Sequence, residues 1–472
     1  AHGSQIMGGG SFVRPNIDLL DDFEWLRDLR AFGGSQARSK ARNLIKIWLH
    51  QNERWVLKSW QPDIMAKRLA NLVFCYDWYG RSADESFQHQ ISATVRLQAR
   101  CLAIDWKRLR DCDARVEALS GLIIAEAALG SNVDDLNNLM EFLIQLLDGM
   151  LHEDGGHKSR MPNTHMKVLR KLIEIRNIGP SKKLAQLAWL DKTIARMGAI
   201  SRMWRHADGQ FARFNGAGML SLEIIDETLS LAGQKGKLLQ QAPNTGFLRF
   251  SSGRSTVIMD VGQPAKGAKI AAYGTLGFEF AVGQNLLVIN PGQSVNDPNL
   301  RRLLCSTKAH STVSIDGQNS SDFEADRLAK VCDIELGRAK GGLLAVARHD
   351  GYDASHGIIH HRKLYLSTGG GNLRGSDQLE YTGAPGEIAR LAVVRFHLHP
   401  RVTAAMLSNQ RVLIKIRGNR TGWVFRANGN VSLDTSLFFD IEGRMNCQQI
   451  VIKVTLADIR SVGMVDVKWA FQ

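Results

Sequence analysis

The sequence predicts an α+β multidomain protein, with a helical domain built from repeated antiparallel helix pairs followed by a large antiparallel β-sandwich. Three observations lead there. Apolar residues recur at helical spacing from about Asp18 to Leu231, and beyond them period-two alternation rich in β-branched residues takes over. Between the two lies GQKGKLLQQAPNTG (Gly233–Gly246), a polar, glycine-bearing connector. At 472 residues the chain exceeds what one core normally organises, and two domains of roughly 200 to 250 residues are expected. The expected bounds are 12–235 for the helical domain and 236–472 for the sandwich. The opening 1–11, AHGSQIMGGGS, is small, polar and glycine-rich, and reads as an expression remnant and not a signal peptide.

In chain order the helical segments are FEWLRDLRAF (Phe23–Phe32), ARNLIKIWLH (Ala41–His50), IMAKRLANLVFCYDWYG (Ile64–Gly80), RVEALSGLIIAEAALG (Arg115–Gly130), LNNLMEFLIQLLDGML (Leu136–Leu151), HMKVLRKLIEIR (His165–Arg176) and LAQLAWLDKTIARMGAISRMW (Leu184–Trp204). Gly80, Gly130, Gly155-Gly156 and Gly179-Pro180 are the expected stops between them. Such a series packs as a bundle or as an α/α toroid. The strand segments follow as STVIMDVG, FEFAVGQNLLVIN, STVSIDGQ, GLLAVARHDGY, HRKLYLSTGG, VVRFHLHP, RVLIKIRG, GWVFRAN and QQIVIKVTL, separated by Gly, Asn and Asp turns. Strands that succeed one another without intervening helices pair antiparallel.

Composition narrows the function classes. No uninterrupted apolar stretch of about 18 residues exists to span a bilayer as a helix. Six scattered cysteines without a CxxC spacing argue against a zinc ribbon or a disulfide framework and suit a reducing compartment, with the cytoplasm as default and the periplasm as the alternative if a leader was removed. A net charge of +14 attracts anions at long range. With no extended basic run and no helix-turn-helix or RRM signature, an acidic polysaccharide is expected as partner and nucleic acid is not.

DGGHKSRMPNTHMKVLRKLIEIR (Asp154–Arg176) resembles the last-helix motif of heparinase II/III-like polysaccharide lyases. In the order expected of that family follow RHADGQFARFNGAG (Arg205–Gly218), KAHSTVSIDG (Lys308–Gly317), ARHDGY (Ala347–Tyr352), HRKL (His361–Leu364) and VVRFHLHP (Val393–Pro400), with weaker support from WLRDLR (Trp25–Arg30) and QQIVIK. The resemblance covers nearly all of the chain after the opening segment. It implies a toroid-plus-sandwich fold and cleavage of a uronate polymer by β-elimination between the two. Removing the proton α to a uronate requires that the carboxylate be neutralised, that a base take the proton and that an acid protonate the leaving oxygen. In the family an Asn handles the carboxylate, while Tyr and His act as acid and base. Here His165 matches the motif's histidine, but Thr164 stands in the tyrosine's place and its hydroxyl is too weak an acid. The family's Asn-His pair falls at Ser120-Gly121.

The turn can still form an anion site. Amides after Pro162, with Arg160, Asn163, His157 and His165, face a common cleft if the helix begins at Pro162. The alternative is a structural turn in which Arg160 pairs with a carboxylate. With the tyrosine replaced, either a histidine such as His165 takes both proton roles or a tyrosine approaches from the sandwich, for which Tyr273 and Tyr352 are the candidates. Sugar-binding candidates are Trp60, Trp204, Arg213, Asn215, His361 and His397. His397 and His399 lie two apart and form either a cleft-lining pair or a satisfied buried one, with His399 the stronger candidate for burial. The resemblance further implies a zinc site at His310, Asp326 and His349, for which Asp316, Asp322 and His356 compete. Besides a lyase, the sequence admits a noncatalytic protein that binds anionic glycan or serves envelope polysaccharide assembly on the same fold. Oligomeric state stays open.

Overall fold

A computed structural model describes residues 21–472 apart from 55–57, 183, 234–235, 266–271, 293–296, 324–325, 384–385, 419–421 and 441–442. The helices before the strands are α1 (Trp25–Phe32), α2 (Gly34–Gln51), α3 (Pro62–Tyr79), α4 (Glu85–Asp105), α5 (Cys112–Leu129), α6 (Val133–Met150), α7 (Pro162–Lys182), α8 (Leu187–Trp204) and α9 (Leu222–Leu231), and three short ones, α10 (Pro298–Cys305), α11 (Asp353–His356) and α12 (Ile459–Val462), lie among the strands. Each expected helical segment is found. α4 was not foreseen, because only a narrow stripe of Phe87, Ile91, Val95, Ala99 and Leu102 is buried in an otherwise polar segment. Its start is nonetheless encoded, since the Asp84 carboxylate accepts the Phe87 amide. Gly130 ends α5 in the left-handed conformation (φ 81°) as expected, whereas α7 runs on past Gly179 to Lys182.

The chain divides into two compact units, one of residues up to Met150 with Lys167–Ile194, the other of Leu151–Met166 with Ala195–Gln472. The turn before α7 and the segment after Ile194, which period alone groups with the helices, therefore belong with the strands. In the helical unit α3 and α5 cross closely at Gly121, where a Cβ would lie 2.5 Å from the Ala66 carbonyl oxygen. Ser120 beside it is fully buried.

The strands are β1 (Gln241–Ala242), β2 (Phe247–Ser252), β3 (Ser255–Asp260), β4 (Phe278–Val282), β5 (Asn285–Val288), β6 (Val313–Ile315), β7 (Val331–Ala339), β8 (Gly342–Tyr352), β9 (Ile358–Ser367), β10 (Leu373–Tyr381), β11 (Leu391–His397), β12 (Val402–Met406), β13 (Val412–Ile416), β14 (Gly422–Ala427), β15 (Asn430–Phe439), β16 (Arg444–Thr455) and β17 (Met464–Phe471). They form a five-stranded meander β1-β2-β3-β4-β5, an eight-stranded sheet β12-β13-β14-β17-β10-β9-β8-β7 and a four-stranded sheet β15-β16-β11-β6. Every pair among the described strands is antiparallel, as expected, although short helices such as Pro298–Cys305 between β5 and β6 intervene where none was foreseen. All three sheets contribute to one core, in which Phe278, Phe396, Trp469 and Phe471 interlock, with Phe396 and Trp469 centroids 4.6 Å apart. The alternation of β9 buries His360, Arg362 and Leu364 and turns His361, Lys363 and Tyr365 outward.

Candidate functional site

The Asp154–His165 segment is held within the strand-rich unit by its own polar groups. The Asp154 carboxylate accepts the amides of Asn244 (3.0 Å) and Thr245 (2.8 Å) and the Thr245 hydroxyl (2.6 Å), fastening the turn to the β1–β2 connection. Gly156 fits under Thr245, where a Cβ would meet Oγ1 at 1.8 Å. Arg160, in the left-handed region at φ 57°, has all five guanidinium N–H groups occupied. It donates to the carbonyls of Thr245, Gly246, Gly262 and Gln263 and to Asp260. Burial raises the Asp260 carboxyl, while Arg160 and the Gly262 amide pull it back. Of the two sequence readings, the structural one fits: Arg160 has no donor left for a substrate.

His165 is fully buried against the edge of Trp204, centroids 5.1 Å apart. Its Nδ1 accepts the His157 amide and its Nε2 donates to the Met197 carbonyl, and burial lowers its pKa to about 3. His157 pairs through Nδ1 with the Ser159 hydroxyl. Trp204 is itself buried between His165 and Phe247 and offers no face for a sugar. Asn215 donates to the Arg160 carbonyl. Asn163 and Thr164 are partly exposed on the first turn of α7, and Trp60, in the helical unit, is partly exposed too. Tyr352 is buried with its hydroxyl donated to the Val313 carbonyl, and burial raises its pKa. Tyr273 is half-buried against the Phe323 ring.

The zinc candidates do not assemble into a ligand set. His310 Nδ1 bonds Asn290 Oδ1 at 2.9 Å. His349 belongs to a separate buried cluster, where it meets His360 (3.1 Å), which bonds Asp377, itself clamped by Arg362 and the Trp469 indole. Asp326 is exposed at a turn. Among the described residues no group of three or more His, Cys, Asp or Glu could hold a metal ion. Spacing across strands carried no information about which strands become neighbours, and the donors went to different clusters.

The strand-rich unit does contain a cavity of about 510 Å³, within the range of small-molecule sites, whose mostly apolar lining carries a few charged groups. The hairpin after α8 builds one wall: the Asp208 carboxylate accepts the Gln210 amide, Gly209 turns at φ 93°, and the chain delivers Arg213. The Arg213 guanidinium lies over the Phe438 ring at 3.9 Å and, among the described residues, donates one hydrogen bond, to the Phe439 carbonyl. Burial lowers its pKa, and Glu279, Asp208 and Asp440 oppose that shift. Beneath it, Glu279 accepts from His206 Nε2, the amides of Arg213 and Asn290 and the Asn290 side chain. Burial pushes the Glu279 carboxyl up, but these donors outweigh it and hold it below its ordinary value.

On the opposite wall, His399 Nδ1 accepts the Arg401 amide, which leaves the proton of the neutral ring on Nε2. Burial, with Arg213 and Arg401, lowers His399 to about 4. The two histidines of RFHLHP thus have roles opposite to those expected. His397 is the satisfied one, bonded to the Ser436 hydroxyl and the Lys308 carbonyl, whereas His399 lines the cavity. Arg213 alone of the foreseen binding residues lines it. His399 was foreseen for a cleft in one of two readings; Arg401, Asp208, Asp440 and Glu279 were missed as lining, although a glutamate between Phe278 and Phe280 in a strand buried on both faces was a readable signal.

Residues 234–466 match the family model described as heparinase II/III-like, C-terminal. The chain is similar to FtsZ-localized protein C of Caulobacter vibrioides, 27% identical over 496 residues, covering 96% of this chain and 85% of that one. Among solved structures it is similar to heparan sulfate lyase from Pedobacter heparinus (a mutant form; TM-score 0.70, 14% identity, 96% of this chain and 76% of that one). A heparinase III gene product gives TM-score 0.71 at 14% identity, covering 98% and 79%. The likeness to these structures is one of fold, and it bears out the expected toroid-plus-sandwich class.

Proposed function

Because this chain carries a heparinase II/III-like C-terminal domain and the heparinase III fold, we propose that it binds an acidic polysaccharide through a single uronate-type sugar and does not cleave it. The observation that carries the reading is Arg213, a buried cavity-lining guanidinium with one hydrogen bond to protein, in contrast to saturated Arg160. A carboxylate of the sugar takes the remaining Arg213 donors together with His399 Nε2–H and Arg401. The carboxylates of Asp208 and Asp440 beside them accept sugar hydroxyls. That mixture favours a hydroxylated acid over a bare anion, which the three nearby carboxylates would repel.

Cleavage has no support in the same geometry. Thr164 replaces the phenol, His165 is sealed and neutral, and the cavity lining holds no tyrosine. His399 cannot accept a proton at Nδ1 while that atom holds the Arg401 amide. The name of the Caulobacter relative records a location with FtsZ, which supports a role in an assembly. Titration with galacturonate and glucuronate tests the reading. Arg213→Met and Arg401→Gln are each expected to weaken binding about tenfold, the loss of one charge-assisted hydrogen bond or more. Unchanged affinity in both variants, with melting temperatures intact, would remove the cavity from the account.

A further inference from the structure

The solvent face of the eight-stranded sheet carries a second feature, to which the motifs of the resemblance contribute only Lys363 of HRKL. A depression of about 430 Å³ spans four adjacent strands, β14, β17, β10 and β9, and each supplies one exposed cation: Arg426, Lys468, Arg374 and Lys363. The register fixes their arrangement. Arg426 lies opposite Ala470, and Ala470 opposite Arg374, so the two arginines share one row across the sheet. Lys468 lies opposite Ser376, and Ser376 opposite Lys363, so the two lysines share the next row. Moving across the sheet, the positive charges therefore alternate between two rows roughly 7 Å apart, advancing about 4.8 Å per strand. No carboxylate lines the depression; Asp466, one row further on, reaches Lys468 at 3.4 Å. Between the cations the same face carries only the small side chains of Ala470 and Ser376.

We propose that this face binds an extended polyuronate chain lying across the strands, one sugar per strand. In an extended equatorially linked polymer the advance per sugar is close to the strand spacing, and successive carboxylates point to opposite sides, as the four cations do. An extended peptide fits worse, because its side chains alternate every 3.4 Å or so and fall out of step with the strands. The proposal takes its ligand class from the single-sugar reading above but uses none of the same residues.

Fluorescence anisotropy on the full chain tests it, with labelled β-(1→4)-linked polyglucuronate oligomers of one to six sugars as probes. Affinity is expected to rise with length to four sugars and then level off. Lys363→Glu with Arg374→Glu should weaken the tetramer at least tenfold, and the neutral pair Lys363→Gln with Arg374→Gln by less. Arg213→Met should leave the length dependence intact while weakening monosaccharide binding about tenfold, which separates failure of the cavity from failure of this face. A charge-reversed pair that binds the tetramer like the parent would overturn the proposal. So would poly-glutamate of equal charge competing as well as the oligomer.

Discussion

Two arginines on neighbouring pieces of chain show how partners, and not residue type, decide a role. Arg160 sits in the motif and is saturated by four carbonyls and Asp260; Arg213 lies outside the catalytic motif, over a phenyl ring, with one bond to protein. Arg160→Ala leaves Asp260 buried and unpaired, and should cost about 3–5 kcal/mol of stability, measured by denaturant unfolding. Arg213→Met should cost far less stability and act on ligand affinity. The histidines make a second expectation at this scale. Burial lowers His165 and His397 to about 3 and His310 and His399 to about 4. The unfolded chain protonates these rings near pH 6.5, and the folded protein does not. Their contribution is therefore complete above that pH and is lost as pH falls from about 6.5 towards 4. Melting temperatures should drop several degrees between pH 7 and pH 5, before most carboxylates titrate. A flat profile over that interval would show that the rings are accessible to protons. Sequence could name these side chains but not their partners, because Thr245, Gly262 and Asp260 lie far along the chain from Arg160.

Elements were more legible than sites. Period, turn residues and the connector placed the helices and strands, because amphipathic spacing follows directly from which face is buried. α4 escaped because its buried stripe is narrow. The Ser120-Gly121 position shows why substitution alone understates a change. Gly121 lets α3 and α5 approach until a Cβ would strike the Ala66 backbone, so the place where the resemblance puts an Asn-His pair is a helix contact. Ser120→Asn with Gly121→His should restore no eliminative activity and should destabilise by about 1–3 kcal/mol, as overpacked cores do. A stable double variant would mean the helices can part there.

Across the whole molecule, a net charge of +14 raises the local concentration of acidic polymer without selecting it. In the proposed reading selection then falls to particular groups, with Arg213 and the aspartates reading one sugar and the alternating cations reading the spacing of many. A heparinase II/III-like fold that keeps its sandwich while closing its acid/base positions is suited to holding such a polymer. The most direct measurement is the ultraviolet absorbance of unsaturated uronate during prolonged incubation of stoichiometric protein with polygalacturonate, polyglucuronate and heparan sulfate, each shown to bind. The account predicts a flat trace for every polymer. A rise that disappears in His165→Ala would contradict it, because the sealed histidine would then have reached a substrate proton.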